Sequence, residues 1–292
     1  MSTGTLSFLV HAPAKVGKST LSATAPTPIL VLDAEGGWRF IRKAGFCRAG
    51  VHGPADPTTG RVSCPCPSLR RKEWNPQQGP PPRHDGTWDF CHVLVRDWGT
   101  LTTTQNWLYQ APHDFQSVIV DSITETQRQL KQNLRGTEQM RIQDWGDLLT
   151  RMDSLIRGYR DLVLVKSSLR LVMFIAETRE EKGKWRPYMQ GQIGVSLPYW
   201  VDVVGYLYPT PTGEVDANGQ PTGTMTRALY VGSHPQFESG ERVQGVLGDV
   251  VTNPNLTKML DIIFPNGNQP TSDQITETNQ TADQTEPQEV GK

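Results

Sequence analysis

The sequence predicts an α/β fold in which a mainly parallel central sheet is flanked by helices. Short apolar runs that end at acidic residues are separated by segments of helical length, and a Gly-Lys-Ser turn follows the first run. Continuous apolar runs are typical of parallel strands that helices cover on both faces. Their alternation with helix-length segments indicates a parallel sheet.

Four apolar runs and two helical segments define the predicted elements in chain order. The strands are residues 6–11, 29–32, 117–120 and 171–176. A first helix begins at Thr20, directly after the Gly-Lys-Ser turn. Between Trp145 and Val163, apolar residues recur at spacings of three and four, which is typical of a helix that buries one face.

Length and composition limit the class of protein. A chain of 292 residues with 36% apolar and 20% charged residues is ordinary for a soluble protein, which excludes collagenous, coiled-coil and fully disordered classes. No apolar stretch is long enough to span a bilayer, and the first residues lack the charged region that opens a secretory signal. We therefore expect a cytoplasmic protein without a membrane partner.

The chain is predicted to divide into one domain and a tail. Residues 1–265 form the α/β domain, which an irregular Pro- and Gly-rich insertion interrupts at about residues 45–88. Residues 266–292 contain no aromatic residue, so we expect a disordered acidic tail. The tail has five acidic residues and one lysine, so the chain's net charge of −1 leaves +3 for the domain, too little to indicate nucleic-acid binding by itself.

A phosphate-binding loop is predicted after the first strand. Its sequence, APAKVGKS, departs from the GxxxxGK[ST] pattern only in having Ala for the first Gly. In that pattern backbone N–H groups surround the phosphates at a helix N-terminus, the Lys neutralises β- and γ-phosphate oxygens, and the Ser binds Mg²⁺. The predicted ATP-binding residues are Ala12, Pro13, Ala14, Lys15, Val16, Gly17, Lys18, Ser19 and Thr20. The alternative is a strand-to-helix turn with an exposed lysine.

A carboxylate for the magnesium shell is predicted at Asp121, which ends the strand at residues 117–120. P-loop ATPases hold the metal with the loop hydroxyl, here Ser19, and with an Asp at the end of another strand. The alternative is a helix N-cap, because Asp121 and Ser122 both favour that position. The two roles are compatible.

Three strand-end motifs resemble those of the RecA-type recombinase core. One apolar strand is followed by DAEGG at residues 33–37, a second by DSITE at residues 121–125, and a third by Glu177. With Lys15 in the phosphate loop, the chain is similar to the phage-encoded RecA-like ATPases of the Sak-four group. The resemblance implies a RecA-like P-loop NTPase core and, for a phage protein, a location in the bacterial host cytoplasm.

The resemblance covers about residues 4–44 and 89–264, and it also implies site residues. Glu35 takes the place of the catalytic carboxylate that activates water. Glu177 takes the place where RecA proteins carry a Gln that senses the γ-phosphate, so it is counted among the nucleotide-binding residues. The alternative for Glu177 is a structural contact with Arg179.

A catalytic arginine is implied at Arg242. This residue matches the Lys-x-Arg element that reaches a neighbouring subunit's nucleotide in hexameric RecA-fold ATPases such as DnaB helicases, although Gly240 replaces the Lys. An Arg supplied by a neighbouring subunit stabilises charge in the transition state of phosphoryl transfer. The alternative is a surface salt bridge, which contributes little to stability.

Two segments, residues 128–141 and 178–196, are implied to form loops that contact single-stranded DNA. Their cations are interleaved with aromatic residues such as Trp185 and Tyr188, a pattern that suits phosphate tracking and base stacking. The candidate contacts are Arg128, Lys131, Arg135, Arg141, Arg179, Lys182, Lys184 and Arg186. Because two glutamates interrupt the second segment, the alternative is a solvated charged face.

The cysteines suggest a candidate ligand set for zinc. All four, Cys47, Cys64, Cys66 and Cys91, lie in or beside the insertion, together with three histidines. Thiolates and imidazoles bind Zn²⁺ tetrahedrally, and a bound ion can order a loop that lacks its own core. Only one Cys-x-Cys pair is closely spaced, so the alternative is a set of reduced thiols.

The residues and the resemblance together predict a Mg²⁺-dependent ATPase that acts with single-stranded DNA in phage recombination, annealing or replication. Its implied partners are further copies of itself in a ring or filament, and a phage single-strand-binding or annealing protein. Two alternatives stay open. One is a P-loop kinase that phosphorylates a small molecule or nucleotide, and the other is a scaffold that binds ATP as a latch without hydrolysing it.

Overall fold

The computed structural model of the protein describes residues 4–41, 69–211 and 225–265. The strands are β1 Leu6–Ala12, β2 Ile29–Asp33, β3 Arg71–Glu73, β4 Phe90–Leu94, β5 Ser117–Asp121, β6 Leu171–Glu181, β7 Lys184–Pro187, β8 Val203–Pro211, β9 Met225–Tyr230, β10 Gly240–Glu241 and β11 Val250–Thr252. The α-helices are α1 Lys18–Ser22, α2 Trp98–Gln110, α3 Ile123–Arg135, α4 Ile142–Val165, α5 Ile193–Ser196 and α6 Leu256–Ile263.

One large sheet organises the described residues. Its strand order is β11-β9-β8-β1-β6-β5-β2-β4-β3, with β10 added to β8 and β7 added to β6. All neighbours from β8 to β3 are parallel, whereas β7, β9, β10 and β11 pair antiparallel. The predicted α/β class with a mainly parallel central sheet is confirmed.

The core lies on both faces of this sheet because the strand side chains alternate. In β1, Leu9 packs with the cluster that includes Leu155 of α4, whereas Phe8 and Val10 pack with the cluster that includes Leu260 of α6. Both faces of the parallel strands are therefore covered, which explains their unbroken apolar sequence.

All four predicted strands are present, and so is the long helix. α4 buries the face that the spacing of three and four predicted, including Leu148, Met152 and Tyr159. β6 is longer than predicted because it continues past residue 176 into a hairpin with β7. The residues of this hairpin are mostly polar, so no apolar run in the sequence indicated that they form strands.

The described part of the expected insertion, residues 69–88, is mostly turns and irregular backbone, but it contains one short strand and two buried tryptophans. Arg71–Glu73 forms β3, which pairs parallel with β4 at the edge of the sheet. Trp74 and Trp88 are buried and pack against Phe115. The prediction missed β3 because its three residues are charged and exposed, as an edge strand permits.

Two expectations from the sequence concern residues that the structure does not describe. The rest of the expected insertion before Leu69, and the tail at residues 266–292, lie outside the described residues. Within the part of the chain that the structure describes, no helix is both long and apolar enough to cross a membrane.

Candidate active site

The phosphate-binding loop joins β1 to α1 at the carboxyl edge of the sheet. Lys15 and Gly17 adopt left-handed backbone conformations, with φ of 62° and 103°. Gly is suited to position 17 because it has no Cβ to strain that conformation. The strand, loop and helix that the motif requires are therefore all in place.

Lys18 directs its ammonium group back over the loop. Nζ donates hydrogen bonds of 3.1 Å to the backbone oxygens of Ala12 and Pro13. Burial lowers the pKa of Lys18 below its ordinary value, and the carboxylates of Glu35, Asp121 and Glu177 oppose that shift. Lys18 is thus a partly desolvated cation with three acidic residues near it. Its ammonium group lies at the loop, where it can bind phosphate oxygens. The alternative of a merely exposed lysine is wrong.

Ser19 and Asp121 are in direct contact. Ser19 Oγ donates a hydrogen bond of 2.6 Å to Oδ2 of Asp121, and Trp38 Nε1 donates one of 2.8 Å to the same oxygen. Burial raises the pKa of Asp121 to about 6, and the nearby charges of Glu35 and Asp33 add to the effect, against the two hydrogen bonds. The buried carboxylate therefore lies where a cation would stabilise its charged form.

The helix cap beside this site is Ser122 rather than Asp121. Ser122 Oγ accepts a hydrogen bond of 3.2 Å from the backbone N–H of Glu125 at the start of α3. Capping by Ser122 leaves Asp121 free to hold Ser19. The capping alternative is therefore confirmed for one residue and wrong for the other.

Glu35 lies next to this pair. Ser122 Oγ donates a hydrogen bond of 2.5 Å to Oε1 of Glu35. The contact follows from the sheet, because β2 and β5 are parallel neighbours in which Asp33 is aligned with Asp121. The carboxylates of Asp33, Glu35 and Asp121 thus lie close together at the carboxyl edge of the sheet. Ligands bind at this edge of open parallel sheets.

Asp33 has a structural role within the DAEGG turn. Its carboxylate accepts hydrogen bonds from the backbone N–H groups of Gly36, Gly37 and Trp38 at 2.8–3.2 Å, and it contacts His92 at 3.1 Å. Burial disfavours its charge, but the hydrogen bonds from His92 and the turn outweigh burial, and the pKa of Asp33 lies below its ordinary value. The ionised Asp33 fixes the turn that carries Glu35.

The oxygens of Ser19 and Asp121 fit a magnesium ion that binds together with a nucleotide. Within the described ranges no group of three or more His, Cys, Asp or Glu side chains could hold a metal by itself. Mg²⁺ is usually held by one or two protein oxygens together with substrate phosphates and water. The hydroxyl of Ser19 and the carboxylate of Asp121 are such oxygens, and they are 2.6 Å apart.

Glu177 reaches the edge of the phosphate loop but is held by an unpredicted partner. It is aligned with Ala12 across β6 and β1. Both of its carboxylate oxygens accept hydrogen bonds of 2.8 Å from the guanidinium of Arg128. These hydrogen bonds are the main reason why the pKa of Arg128 is raised. The alternative contact with Arg179 is wrong, since Arg179 lies over the Tyr188 ring at 5.4 Å.

Arg242 lies at the opposite edge of the sheet from the phosphate loop. It directly follows β10, whose Glu241 is aligned with Val203 at the amino end of β8. Its guanidinium donates to the backbone oxygen of Tyr199 and lies 3.8 Å from Asp202. Arg242 therefore does not contact the phosphate loop of its own chain.

The predicted DNA-contact residues are not all on loops. Arg128, Lys131 and Arg135 belong to α3, and residues 178–187 form the β6–β7 hairpin. Several of these cations have protein partners: Arg128 pairs with Glu125 and Glu177, Arg135 with Glu138 and Asp144, Lys184 and Arg186 with Glu238, and Lys131 lies over the Trp145 ring. Arg179 and Lys182 are exposed on the hairpin.

The described cysteine is unsuited to zinc. Cys91 is fully buried in β4 within the hydrophobic core, and burial raises the pKa of its thiol to about 12. Zinc binds the thiolate, which this environment disfavours. Cys47, Cys64 and Cys66 lie outside the described residues.

Three residues of the site region were not predicted. Trp38 holds Asp121, and Arg227 of β9 lies against Gly17. His11 of β1 is buried, contacts Thr178 Oγ1 at 3.0 Å and the backbone oxygen of Glu238 at 2.7 Å, and has a pKa lowered to about 4 by burial. The neutral imidazole ties the strand before the phosphate loop to the hairpin strand. Trp38 and His11 are next to predicted motifs and Arg227 lies on a distant strand, but each is a single side chain that forms no spacing pattern, so the sequence did not indicate its role.

A strand, phosphate loop and helix with a buried carboxylate on a nearby strand define a P-loop nucleotide-binding domain. A family model described as an AAA domain matches residues 5–243, and the chain belongs to this family. No curated protein matches the chain. The domain is accordingly an AAA-like P-loop ATPase domain.

Proposed function

We propose that the protein is a Mg²⁺-dependent, RecA-like ATPase of the phage Sak-four type that acts with single-stranded DNA. The observation that carries the proposal is the contact between Ser122 and Glu35, which holds a carboxylate beside Lys18, Ser19 and Asp121. A carboxylate at this point can orient and deprotonate a water molecule. Nucleotide binding alone does not require a carboxylate in this position, so its placement supports hydrolysis.

The chain's own residues divide the chemistry among them. Lys18 binds phosphate oxygens, and Ser19 and Asp121 would hold Mg²⁺. When bound, that ion neutralises charge on the phosphates. Glu35 accepts the proton of the attacking water, and Ser122 keeps the Glu35 carboxylate in position. Ionised Asp33 keeps the DAEGG turn closed around that carboxylate.

Glu177 and Arg128 serve as the γ-phosphate sensor in this proposal. A lone Glu near a γ-phosphate would repel it, whereas the bidentate pair with Arg128 compensates the charge. The two residues join the start of the hairpin strand to α3. A change in their contact on hydrolysis would therefore move the elements that carry the DNA-contact candidates.

Single-stranded DNA is proposed to bind at the β6–β7 hairpin. A groove of about 520 Å³ beside it is lined by Trp145, Arg179, Arg186 and Tyr188, which combine cations with aromatic rings. Such surfaces bind the phosphates and stack the bases of single strands. Glu181 also lines the groove, and its negative charge opposes the binding of phosphates. We therefore expect only a few phosphates to be neutralised and the salt dependence of DNA affinity to be shallow.

Assembly with further copies is proposed to complete the active site. Arg242 lies far from the phosphate loop of its own chain, and more than half of its side chain is exposed. Across an interface it could reach a neighbouring subunit's nucleotide, as the resemblance implies. A ring or filament in the host cytoplasm, acting with a phage single-strand-binding or annealing protein, is the corresponding assembly.

Phosphate release from ATP with and without single-stranded DNA tests this proposal. We expect DNA to stimulate release several-fold, and the Lys18→Ala variant to release none in either condition. Transfer of the γ-phosphate to an added nucleoside or nucleotide, without DNA dependence, would instead identify a kinase. ATP binding without turnover would identify a nucleotide-latched scaffold.

A further inference from the structure

The side chain of Arg227 lies directly over the glycine of the phosphate loop. A Cβ built on Gly17 would be 3.1 Å from Cζ, Nε and Nη1 of Arg227. Because β9 runs antiparallel to β8, its first residues lie at the carboxyl edge of the sheet, where the loop is. The absence of a side chain at Gly17 thus leaves the room that the guanidinium occupies.

Among the described residues, the Arg227 guanidinium has no hydrogen-bond or ion-pair partner. Among the described residues no carboxylate, carbonyl or hydroxyl forms a hydrogen bond or ion pair with it, whereas Lys18 and Arg128 beside the site are both engaged. The side chain is partly buried, and burial lowers the pKa of Arg227 below its ordinary value. A cation removed from water without a partner is costly, so the position favours an anion.

Arg227 approaches the loop from the side opposite the carboxylates. Glu35 follows β2, Asp121 ends β5 and Glu177 lies within β6, and these three strands all lie on one side of β1, whereas β8 and β9 lie on the other. In the proposed function, Lys18, Ser19 and these carboxylates serve the γ-phosphate and Mg²⁺. On the other side of the loop, the guanidinium of Arg227 lies beside Gly17.

We propose that Arg227 is a further nucleotide-binding residue, which donates hydrogen bonds to the α- and β-phosphate oxygens of a bound nucleoside di- or triphosphate. The inference rests on the proposed function of the phosphate loop and deepens it. Guanidinium groups bind phosphate oxygens through charge-assisted, often bidentate hydrogen bonds. Because ADP keeps both of these phosphates, Arg227 strengthens ADP and ATP binding alike.

Dissociation constants for ATP and ADP test the proposal. They are measured by calorimetry for the full-length wild type and for the Arg227→Ala, Arg227→Gln and Arg227→Lys variants, with Lys258→Ala as a control that removes an exposed cation from α6. We expect Arg227→Ala and Arg227→Gln to weaken both nucleotides about 10- to 100-fold. Arg227→Lys should restore part of the loss, and Lys258→Ala should bind as the wild type does.

The outcomes separate this proposal from the function on which it rests. If Lys18→Ala weakens nucleotide binding but Arg227→Ala and Arg227→Gln do not, the role of Arg227 is overturned and the proposed phosphate loop stands. A loss confined to ATP also overturns it, because the assigned phosphates are present in ADP. A wild type that binds no nucleotide would overturn both.

Discussion

Ser122 donates a hydrogen bond of 2.5 Å to Oε1 of Glu35, although the two residues are 87 positions apart in the chain. The contact joins the ends of β2 and β5, and the residue before Ser122 is Asp121, which holds Ser19 of the phosphate loop. The carboxylate proposed to activate water and the one proposed to bind Mg²⁺ are thus positioned by contacts of adjacent residues at one strand end. Such rigid placement of catalytic groups is what lowers a reaction barrier.

The ionisation of Asp121 is expected to destabilise the nucleotide-free protein. Burial raises the pKa of Asp121 from 3.8 to about 6, so the folded protein binds a proton more tightly than the unfolded chain does. Stability should therefore fall as pH rises from about 4 to about 6 and stay low above that range. Asp121→Asn should raise the free energy of unfolding at about pH 8 by up to roughly 3 kcal/mol.

Denaturant unfolding of the wild type and Asp121→Asn at about pH 4.5 and about pH 8 checks this expectation. The gain in Asp121→Asn should be smaller at the lower pH. Added Mg²⁺ and ATP should stabilise the wild type more than the variant, because the variant lacks the carboxylate that is proposed to bind the metal. An equal difference at both pH values would contradict the assigned cause.

The contact between Arg128 and Glu177 predicts that a second substitution restores the ATP affinity that the first one lowers. In Arg128→Ala the Glu177 carboxylate loses both of its guanidinium hydrogen bonds and faces the γ-phosphate without compensation. We expect ATP to bind about 3- to 10-fold more weakly, while ADP is little affected. The double variant Arg128→Ala with Glu177→Gln should recover ATP affinity, since it removes the repelling charge. A double variant as weak as Arg128→Ala would show that Glu177 does not face the γ-phosphate.

The β6–β7 hairpin is expected to carry the DNA contacts. Arg179 is exposed and Arg186 lines the adjacent groove. Replacing both by Ala should weaken single-stranded DNA binding and lower the slope of log affinity against log salt by about one for each phosphate that is no longer neutralised. Fluorescence anisotropy at several salt concentrations measures both quantities, with Lys258→Ala as the matched control. Unchanged DNA affinity, or an equal loss in the control, would place the DNA elsewhere.

A mixing experiment tests whether Arg242 acts on a neighbouring subunit. Arg242→Ala should lose most ATPase activity yet still bind ATP, because Arg242 is far from the phosphate loop of its own chain. Lys18→Ala loses the phosphate site but keeps Arg242. Mixed at equal amounts, the two inactive variants should regain part of the wild-type rate, since an intact loop can then meet an intact arginine. No recovery in mixtures that co-assemble would assign Arg242 to its surface contact with Asp202.

The sequence predicted the parts of the site that are local. The phosphate loop is one continuous motif, and Asp121 and Glu35 follow apolar runs whose parallel pairing brings strand ends together. The pair of Arg128 and Glu177 depends on how α3 packs beside β6, and Arg227 depends on an antiparallel strand whose pairing the sequence did not indicate. The charged β3 had no apolar pattern at all.

The first predicted DNA-contact segment differs from the structure for a physical reason. The resemblance implies a loop from residue 128 onward, yet residues 128–135 form the second half of α3, which Ser122 caps at its start. The helix buries Leu130, and its arginines form ion pairs rather than a free cationic surface. Tertiary packing therefore decides which of the predicted cations remain available to a ligand.

The most direct test of the central claim compares hydrolysis and binding in Glu35→Gln. Single-turnover phosphate release and ATP dissociation constants are measured for this variant and for the wild type under the same Mg²⁺ and DNA conditions. We expect Glu35→Gln to bind ATP within about twofold of the wild type and to hydrolyse it about 10²- to 10⁴-fold more slowly, because the amide cannot accept the proton of water. Hydrolysis at the wild-type rate by a variant that binds ATP normally would show that Glu35 is not the group that activates water.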